Sequence, residues 1–163
     1  MIKLKIKDII DEDLINYKQP SMFIATSICN WKCCNEQGLD KSICQNSKIA
    51  LQKDIDIPVD KIYSRYVQNP FTNAIVIGGL EPFLQFNELV ELIKYFRENI
   101  IDHDIVIYTG YYLREIECYI NNIKQYKNIV VKFGRYIPNQ QPHYDEVLGI
   151  ELVSDNQYAE RIS

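Results

Sequence analysis

Residues 74–97 read AIVIGGLEPFLQFNELVELIKYFR, and residues 105–110 read IVIYTG. Each segment opens with a short apolar run rich in β-branched residues, which is typical of a buried strand. Between the two runs, from Asn87 onward, apolar residues recur at the spacing of one helix face, at Leu89, Leu92, Ile93 and Phe96. A strand, a helix and a second strand in this order predict a right-handed βαβ unit with parallel strands.

The alternation of strands and helices continues in both directions from this unit. Buried strands are predicted at Met22–Thr26 and Ile129–Phe133, and period-two alternation predicts another strand at residues 1–7 rather than a signal peptide. Helical spacing predicts further helices through Val59, Ile62, Tyr63, Tyr66 and Val67, and through Leu113, Ile116, Ile120 and Ile123. Because an eight-stranded barrel takes about 250 residues, we expect one α/β domain over residues 1–163, built as a partial βα barrel or a curved, mostly parallel sheet.

The composition argues against nucleic-acid and membrane binding. The 163 residues carry a net charge of -4 and a pI near 5.2, whereas a protein that holds a nucleic-acid backbone is normally basic on at least one face. The longest apolar runs, such as residues 74–77, have the length of a strand and are too short to span a bilayer. We therefore expect a cytoplasmic protein that binds neither nucleic acid nor membrane.

The cysteines are the most informative residues of the chain. In a reducing cytosol thiols stay reduced, so a group of cysteines indicates metal or redox chemistry rather than disulfides. Four of the five lie within one segment that follows the strand Met22–Thr26, and Cys118 stands apart. The four are Cys29, Cys33, Cys34 and Cys44.

Two metal centres are compatible with this segment. Three of its thiols would hold three irons of a [4Fe-4S] cluster and leave the fourth iron open, whereas four thiols would suffice for a structural zinc ion. Zinc ribbons use paired CxxC motifs, which are absent, and the neighbours Cys33 and Cys34 rarely both reach one ion without strain. The cluster is therefore the favoured interpretation. A non-catalytic electron-transfer module would share the same cysteines.

Unusual residues follow each predicted parallel strand. The carboxyl ends of parallel strands meet at one edge of a sheet, where active sites of such folds gather. The segments at this edge are the cysteine segment, Gly78–Pro82, Tyr108–Tyr111 and Phe133–Tyr136. We expect these four segments to form one site.

The order of these motifs resembles the radical S-adenosylmethionine (SAM) superfamily, and most fully the activating enzymes of anaerobic ribonucleotide reductases. The family has CxxxCxxC followed by an aromatic residue and Asn, a glycine pair with Glu-Pro, Tyr-Thr-Gly-Tyr, Gly-Arg-aromatic and Ser-x-Asn-Gln. The corresponding residues are Cys29 and Cys33, Cys44-Gln45-Asn46, Gly78-Gly79-Leu80-Glu81-Pro82, Tyr108-Thr109-Gly110-Tyr111, Gly134-Arg135-Tyr136 and Ser154-Asp155-Asn156-Gln157.

Two departures from the family pattern concern the site. Glu36 stands where the family has its third cysteine, and Leu80 is inserted in the glycine motif. Since the residues after Cys44 match those after the third cysteine of the family, we take Cys29, Cys33 and Cys44 as the cluster ligands, with Cys34 as the alternative to Cys44.

The resemblance also implies roles for residues at the strand ends. Gly78, Gly79 and Gly110 would bring backbone close to SAM, with Glu81 and Thr109 beside them, and Lys132 and Arg135 would bind its carboxylate. Each has a plainer interpretation from the residues alone. A glycine pair often marks a tight turn, a Glu-Pro pair suits a helix start and a lone cation is often a solvated surface charge.

The activity that the resemblance implies is radical generation on a protein. Such an enzyme reductively cleaves SAM and forms a glycyl radical on a larger glycyl radical enzyme, here an anaerobic ribonucleotide reductase. Its cofactors would be a [4Fe-4S] cluster and SAM, and its electron donor a protein such as flavodoxin or ferredoxin. A radical SAM enzyme acting on a small molecule or a peptide is the alternative within the superfamily.

Overall fold

The computed structural model describes residues 2–99 and 101–163 and has a mixed α/β fold. The described residues form nine strands: β1 Lys3–Asp13, β2 Ser21–Thr26, β3 Ile55–Pro58, β4 Ala74–Gly79, β5 Asp104–Tyr108, β6 Ile129–Phe133, β7 His143–Asp145, β8 Ile150–Leu152 and β9 Tyr158–Arg161. Five α-helices accompany them: α1 Lys32–Gln37, α2 Ser47–Ala50, α3 Val59–Val67, α4 Phe86–Glu98 and α5 Leu113–Ile123. Short 3₁₀ turns span Lys41–Ile43 and Pro82–Gln85.

Seven of the strands form one sheet in the order β3-β1-β2-β4-β5-β6-β9. The four central strands, β2, β4, β5 and β6, run parallel, as the βαβ pattern predicts. The pairings at both margins, β3 with β1, β1 with β2 and β6 with β9, are antiparallel. The sheet is therefore parallel at its centre, where the predicted site lies.

Helices cover one face of the sheet. Alternate strand residues such as Ile75 and Ile77 of β4 and Ile105 and Ile107 of β5 point to this face and are fully buried. They pack against the apolar stripes of α3, α4 and α5, whose buried members include Ile62, Leu89, Leu92, Ile93, Phe96, Ile116, Ile120 and Ile123. The helical periodicity of the sequence thus corresponds to this packing layer.

The opposite face is covered by irregular chain and a hairpin. Val76, Val106 and Val130 belong to a second apolar cluster that includes Tyr17, from the β1–β2 connection, and Leu148. The antiparallel hairpin β7–β8 contributes Leu152 to the same cluster. The short helix α2 packs Ile49 against this cluster, and a cavity opens on this face at the strand ends.

None of the helices within residues 2–99 and 101–163 is long and apolar enough to cross a membrane.

Candidate iron–sulfur site

A cavity of about 320 Å³ lies at the carboxyl edge of the parallel strands. The strand register brings the ends together, since Thr26 pairs with Gly79 and Tyr108 pairs with Lys132. Residues from all four segments that the sequence places at this edge line the cavity. The structure therefore assembles the predicted segments at one place.

The cysteine segment forms one wall of this cavity. It leaves β2, passes through Trp31 in the left-handed conformation with φ 59°, and enters the short helix α1. Cys29, Cys33, Cys34 and Cys44 all line the cavity. Consecutive residues of a helix point about 100° apart, so Cys33 and Cys34 present their thiols in different directions, and both proposed third ligands, Cys34 and Cys44, reach the cavity wall.

Burial favours the neutral form of three thiols of this wall. It raises the pKa of Cys29 to about 11 and also raises the pKa values of Cys33 and Cys34. The Cys34 thiol lies beside Cys44, which adds to the increase in its pKa. Because thiolates are the metal ligands, loading of this site must release protons.

The donor set of the cavity suits an iron–sulfur cluster. Thiolates are the usual protein ligands of such clusters, which spread their ligands over several irons. Among the residues that the structure describes, no group of three His, Cys, Asp or Glu side chains converges closely enough to hold a single metal ion. A cluster held by Cys29, Cys33 and either Cys44 or Cys34 therefore fits the residues of the wall.

The glycine pair at the end of β4 has a packing role. Gly79 adopts φ +80°, and a Cβ on it would lie 2.9 Å from the Ala25 Cα of β2. A Cβ on Gly78 would lie 3.2 Å from the Tyr108 Cβ. Gly79 lines the cavity and accepts a hydrogen bond from the side chain of Asn46, whereas Gly78 is not in the cavity wall. The approach of Gly78 to a ligand stays a prediction, and in the structure Gly78 packs against Tyr108 and Phe23 of the neighbouring strands.

Glu81 lies at the centre of the site. Its carboxylate accepts hydrogen bonds from Thr109 Oγ1 at 2.9 Å, Gly110 N at 2.9 Å and Phe83 N at 3.1 Å. Burial raises its pKa to about 7, although these three hydrogen bonds act in the opposite direction. Glu81 thus joins the ends of β4 and β5, and Thr109 positions Glu81. The backbone N–H of Glu81 also donates to Ile28 O at 2.8 Å, which anchors the residue beyond the inserted Leu80.

Lys132 is a buried cation of the cavity wall. Its ammonium donates to Gly134 O at 3.3 Å, and burial lowers its pKa to about 8. The negative forms of Cys33 and Glu81 act to raise that pKa. The cavity therefore holds a carboxyl group and an ammonium group, both buried, beside its thiols.

Arg135 does not face the cavity in the way the sequence predicts. Its Nε and Nη2 atoms donate to Glu36 at 2.9 and 3.0 Å, and Nη1 and Nη2 each donate to Glu115 at 2.7 Å. Nη1 also donates to Gly110 O. A guanidinium has five N–H donors, and all five are engaged. The role of Arg135 in binding a ligand carboxylate stays a prediction, and in the structure its donors bind Glu36, Glu115 and Gly110 O instead.

The C-terminal motif and the mouth of the cavity also contribute to the site, but only the C-terminal motif is predicted from the sequence. From the C-terminal motif, Gln157 lines the cavity, while Asn156 donates to Arg135 O at 3.0 Å. At the mouth, Ile15 and Val153 line the cavity and are 76% and 36% exposed. No pattern in the sequence marks Ile15 or Val153, since each joins the site only through chain that folds across the sheet.

Residues 21–157 match the family model of the 4Fe-4S single cluster domain. The chain belongs to this family. As a 4Fe-4S single cluster domain, the protein carries the iron–sulfur centre predicted from its cysteines, and the match confirms the preference for a cluster over a zinc ion. The matched range includes all four cavity cysteines and extends to Gln157.

A curated protein of Methanocaldococcus jannaschii is similar to part of this 4Fe-4S single cluster domain. It is named "Putative glycyl-radical enzyme activating enzyme" and is 32% identical over 98 residues. The aligned part covers 60% of this chain and 37% of the relative. The chain thus spans little more than a third of the length of that relative.

Proposed function

We propose that this protein is a radical SAM enzyme that forms a glycyl radical on a larger enzyme. The observation that carries the proposal is the cavity itself, in which cysteine thiols, the carboxyl group of Glu81 and the ammonium group of Lys132 lie together at the carboxyl edge of the sheet. The amino-acid part of SAM carries one ammonium and one carboxylate group. Glu81 and Lys132 offer the two opposite charges that such a zwitterion requires.

The residues of the cavity would hold, orient and shield the reactants. Cys29, Cys33 and Cys44 would bind three irons of the cluster. Bound to these thiolates and reduced, a cluster would supply the one electron that cleavage of SAM to methionine and a 5′-deoxyadenosyl radical requires. Glu81 would accept a hydrogen bond from the amino group of SAM, and Lys132 would donate one to its carboxylate. The apolar lining residues, such as Phe23, would exclude water from the radical.

The features at the mouth of the cavity support a protein as the substrate. Ile15 and Val153 of the cavity wall are exposed apolar residues, as is Leu14, which precedes Ile15 in the chain. Exposed apolar surface is typical of protein contacts. The name of the Methanocaldococcus relative points to a glycyl-radical enzyme as the partner. The motif Ser154–Gln157, with Gln157 in the cavity wall, supports the finer proposal of an anaerobic ribonucleotide reductase. We further propose a low-potential protein donor such as flavodoxin or ferredoxin.

The first part of the test concerns the cluster. Protein reconstituted without oxygen should bind about four irons per chain. Replacing Cys29, Cys33 or Cys44 with Ala should abolish the iron–sulfur absorption, whereas Cys118→Ala, on the exposed side of α5, should retain it. Loss of the cluster in Cys34→Ala with retention in Cys44→Ala would assign the third ligand to Cys34 instead.

The second part concerns the reaction. Reduced protein with SAM and the cognate reductase should yield methionine, 5′-deoxyadenosine and a doublet glycyl signal in electron paramagnetic resonance. Deuterium from α-labelled glycine in the reductase should appear in 5′-deoxyadenosine. Cleavage of SAM without deuterium transfer would favour a small-molecule or peptide substrate. A reducible cluster that never cleaves SAM would indicate a non-catalytic electron-transfer module.

A further inference from the structure

Four charged side chains form a compact network between the cysteine segment and the sheet. Arg135, with its side chain 5% exposed, binds Glu36 of α1 and Glu115 of α5 through the bonds described above. Lys32 of α1 lies 2.9 Å from Glu115 and 3.6 Å from Glu36. We call these four residues the α1 clamp. Its two cations and two anions balance, and hydrogen bonds from Arg135 and Lys32 lower the pKa of Glu115 to about 2.

Helix α1 requires such an anchor. It has only six residues, and no side chain caps its N-terminus, where Trp31 adopts the left-handed conformation. Forming the first turn of a helix costs more free energy than one hydrogen bond returns, so a helix of this length does not persist alone. Contacts with the rest of the protein must therefore hold α1 in place.

The clamp fixes α1 against the strand ends that carry the site. Arg135 binds Gly110 O, and a Cβ on Gly110 would lie 2.8 Å from Cys33 Sγ. The side chain of Gln37 adds two bonds, to Cys33 O at 2.7 Å and to Tyr136 O at 2.9 Å. The thiol of Cys33 is consequently held against the end of β5.

We propose that Arg135 is a positioning residue, which sets the place of the Cys33 thiol by binding Glu36 and Glu115 across the cavity edge. Glu36, at the position where the resemblance has a third cysteine, serves as the attachment point of α1. The inference rests on Cys33 as a cluster ligand, and hence on part of the proposed function, but not on cleavage of SAM.

The test uses the metal-free protein, so that it does not depend on activity. Glu36 is half exposed, and Glu36→Gln removes one charge of the clamp without creating a cavity. We expect alkylation of Cys33, followed peptide by peptide by mass spectrometry, to become about tenfold faster, as loss of one charge-assisted hydrogen bond predicts. Amide hydrogen exchange should accelerate in α1 and remain unchanged in β5 and β6. Glu98→Gln, in an exposed pair on α4, is the matched control and should change neither readout.

A double-mutant cycle separates the clamp from a general effect on stability. Arg135→Lys keeps the charge but loses the forked geometry, and its effect on Cys33 alkylation should not add to that of Glu36→Gln. Unchanged alkylation in Glu36→Gln, or equal acceleration of exchange in α1, β5 and β6, would overturn the proposal. Weaker SAM binding in Arg135→Lys with unchanged Cys33 reactivity would also overturn it, in favour of direct ligand contact. A loosened α1 in a protein that never cleaves SAM would leave the clamp standing and refute only the proposed activity.

Discussion

Burial shifts the pKa values of two residues of the cavity, Glu81 and Lys132, away from their values in water. The Glu81 carboxyl has a pKa raised to about 7 by burial, and the Lys132 ammonium has a pKa lowered to about 8. At neutral pH both groups are close to their midpoints, so a bound ligand can shift either proton with little change in free energy. The protonation of this pair should therefore respond to whatever enters the cavity.

The raised pKa of Glu81 predicts how the metal-free protein responds to pH. The folded pKa of about 7 exceeds the ordinary value of 4.5, so the folded state holds the extra proton between these values. Stability is then fully present below pH ~4.5 and falls by about 3 kcal/mol as pH rises through ~7. Glu81→Gln lacks a titrating group and should lose less stability over this window.

Urea unfolding of both proteins at several pH values measures this difference. Lys132 does not interfere, because its lowered pKa changes stability only above pH ~8, where stability rises with pH. Glu98→Gln, at the surface of α4, controls for the loss of one negative charge. If the profiles of Glu81→Gln and the wild-type protein are parallel, Glu81 is ionised throughout, and its three hydrogen bonds outweigh its burial.

At the scale of elements, the glycine that ends β4 predicts a loss of stability on substitution. A Cβ at Gly79 would meet the backbone of β2 at 2.9 Å, in addition to the strain of φ +80°. Gly38, which ends α1, has φ +63° but nothing within 4 Å of the added atom. Gly38→Ala should therefore cost about 1 kcal/mol from strain alone, and Gly79→Ala about 2–4 kcal/mol from strain and overlap.

Chemical denaturation of the two variants tests the close approach of β2 and β4. A larger loss in Gly79→Ala than in Gly38→Ala is the expected result. Equal losses would mean that β2 moves away without cost. The contact between Gly79 and β2 also affects ligand-binding experiments. A larger residue at Gly79 disturbs the sheet, so weaker ligand binding by such a variant does not by itself show that Gly79 contacts the ligand.

The elements that the sequence predicts are those with a strong apolar pattern. The helix expected from Asn87 occupies Phe86–Glu98, and its four predicted apolar positions are buried. The helices through Val59 and Leu113 are also present. The strand β2 is buried along its whole length, as expected from its apolar run. In each case the apolar residues of one segment form the buried face of one element, so the pattern within that segment is enough to predict the element.

Other elements depend on partners that are distant in sequence. Strand β9 has two exposed charged residues, Glu160 and Arg161, and is a strand because it pairs with β6. Strand β3 is likewise defined by its pairing with β1. Arg135 reads as a free cation in the sequence, and only the fold brings Glu36, 99 residues away, to its guanidinium. Patterns within one segment carry no information on such contacts.

At the scale of the whole molecule, exposed apolar side chains at two places on the surface predict where a partner binds. Leu14, 69% exposed, immediately precedes Ile15 of the cavity wall and is itself outside that wall. Phe71, 70% exposed, precedes β4 at the opposite edge. Leu14→Asp should leave SAM cleavage unchanged and reduce glycyl radical formation at least about tenfold, because it places a charge in an apolar contact. Phe71→Asp should change neither.

Spin quantification by electron paramagnetic resonance, alongside the yield of 5′-deoxyadenosine from the same samples, checks this prediction. A lower ratio of glycyl radical to 5′-deoxyadenosine indicates weaker docking of the partner, because a defect in SAM cleavage would lower both yields. Equal glycyl radical yields for Leu14→Asp and the wild-type protein would place the partner elsewhere on the surface.

The parallel register of β2, β4, β5 and β6 also determines how the molecule can be attached to a support. The cavity residues Gly79, Thr109 and Lys132 lie at the carboxyl ends of β4, β5 and β6, and the turn that contains Phe71 lies at the amino end of β4. A tether fixed at that turn would turn the cavity outward, toward the surrounding solution. On an electrode or a sensor surface, the molecules would then share one orientation, with their openings free for a large protein to approach.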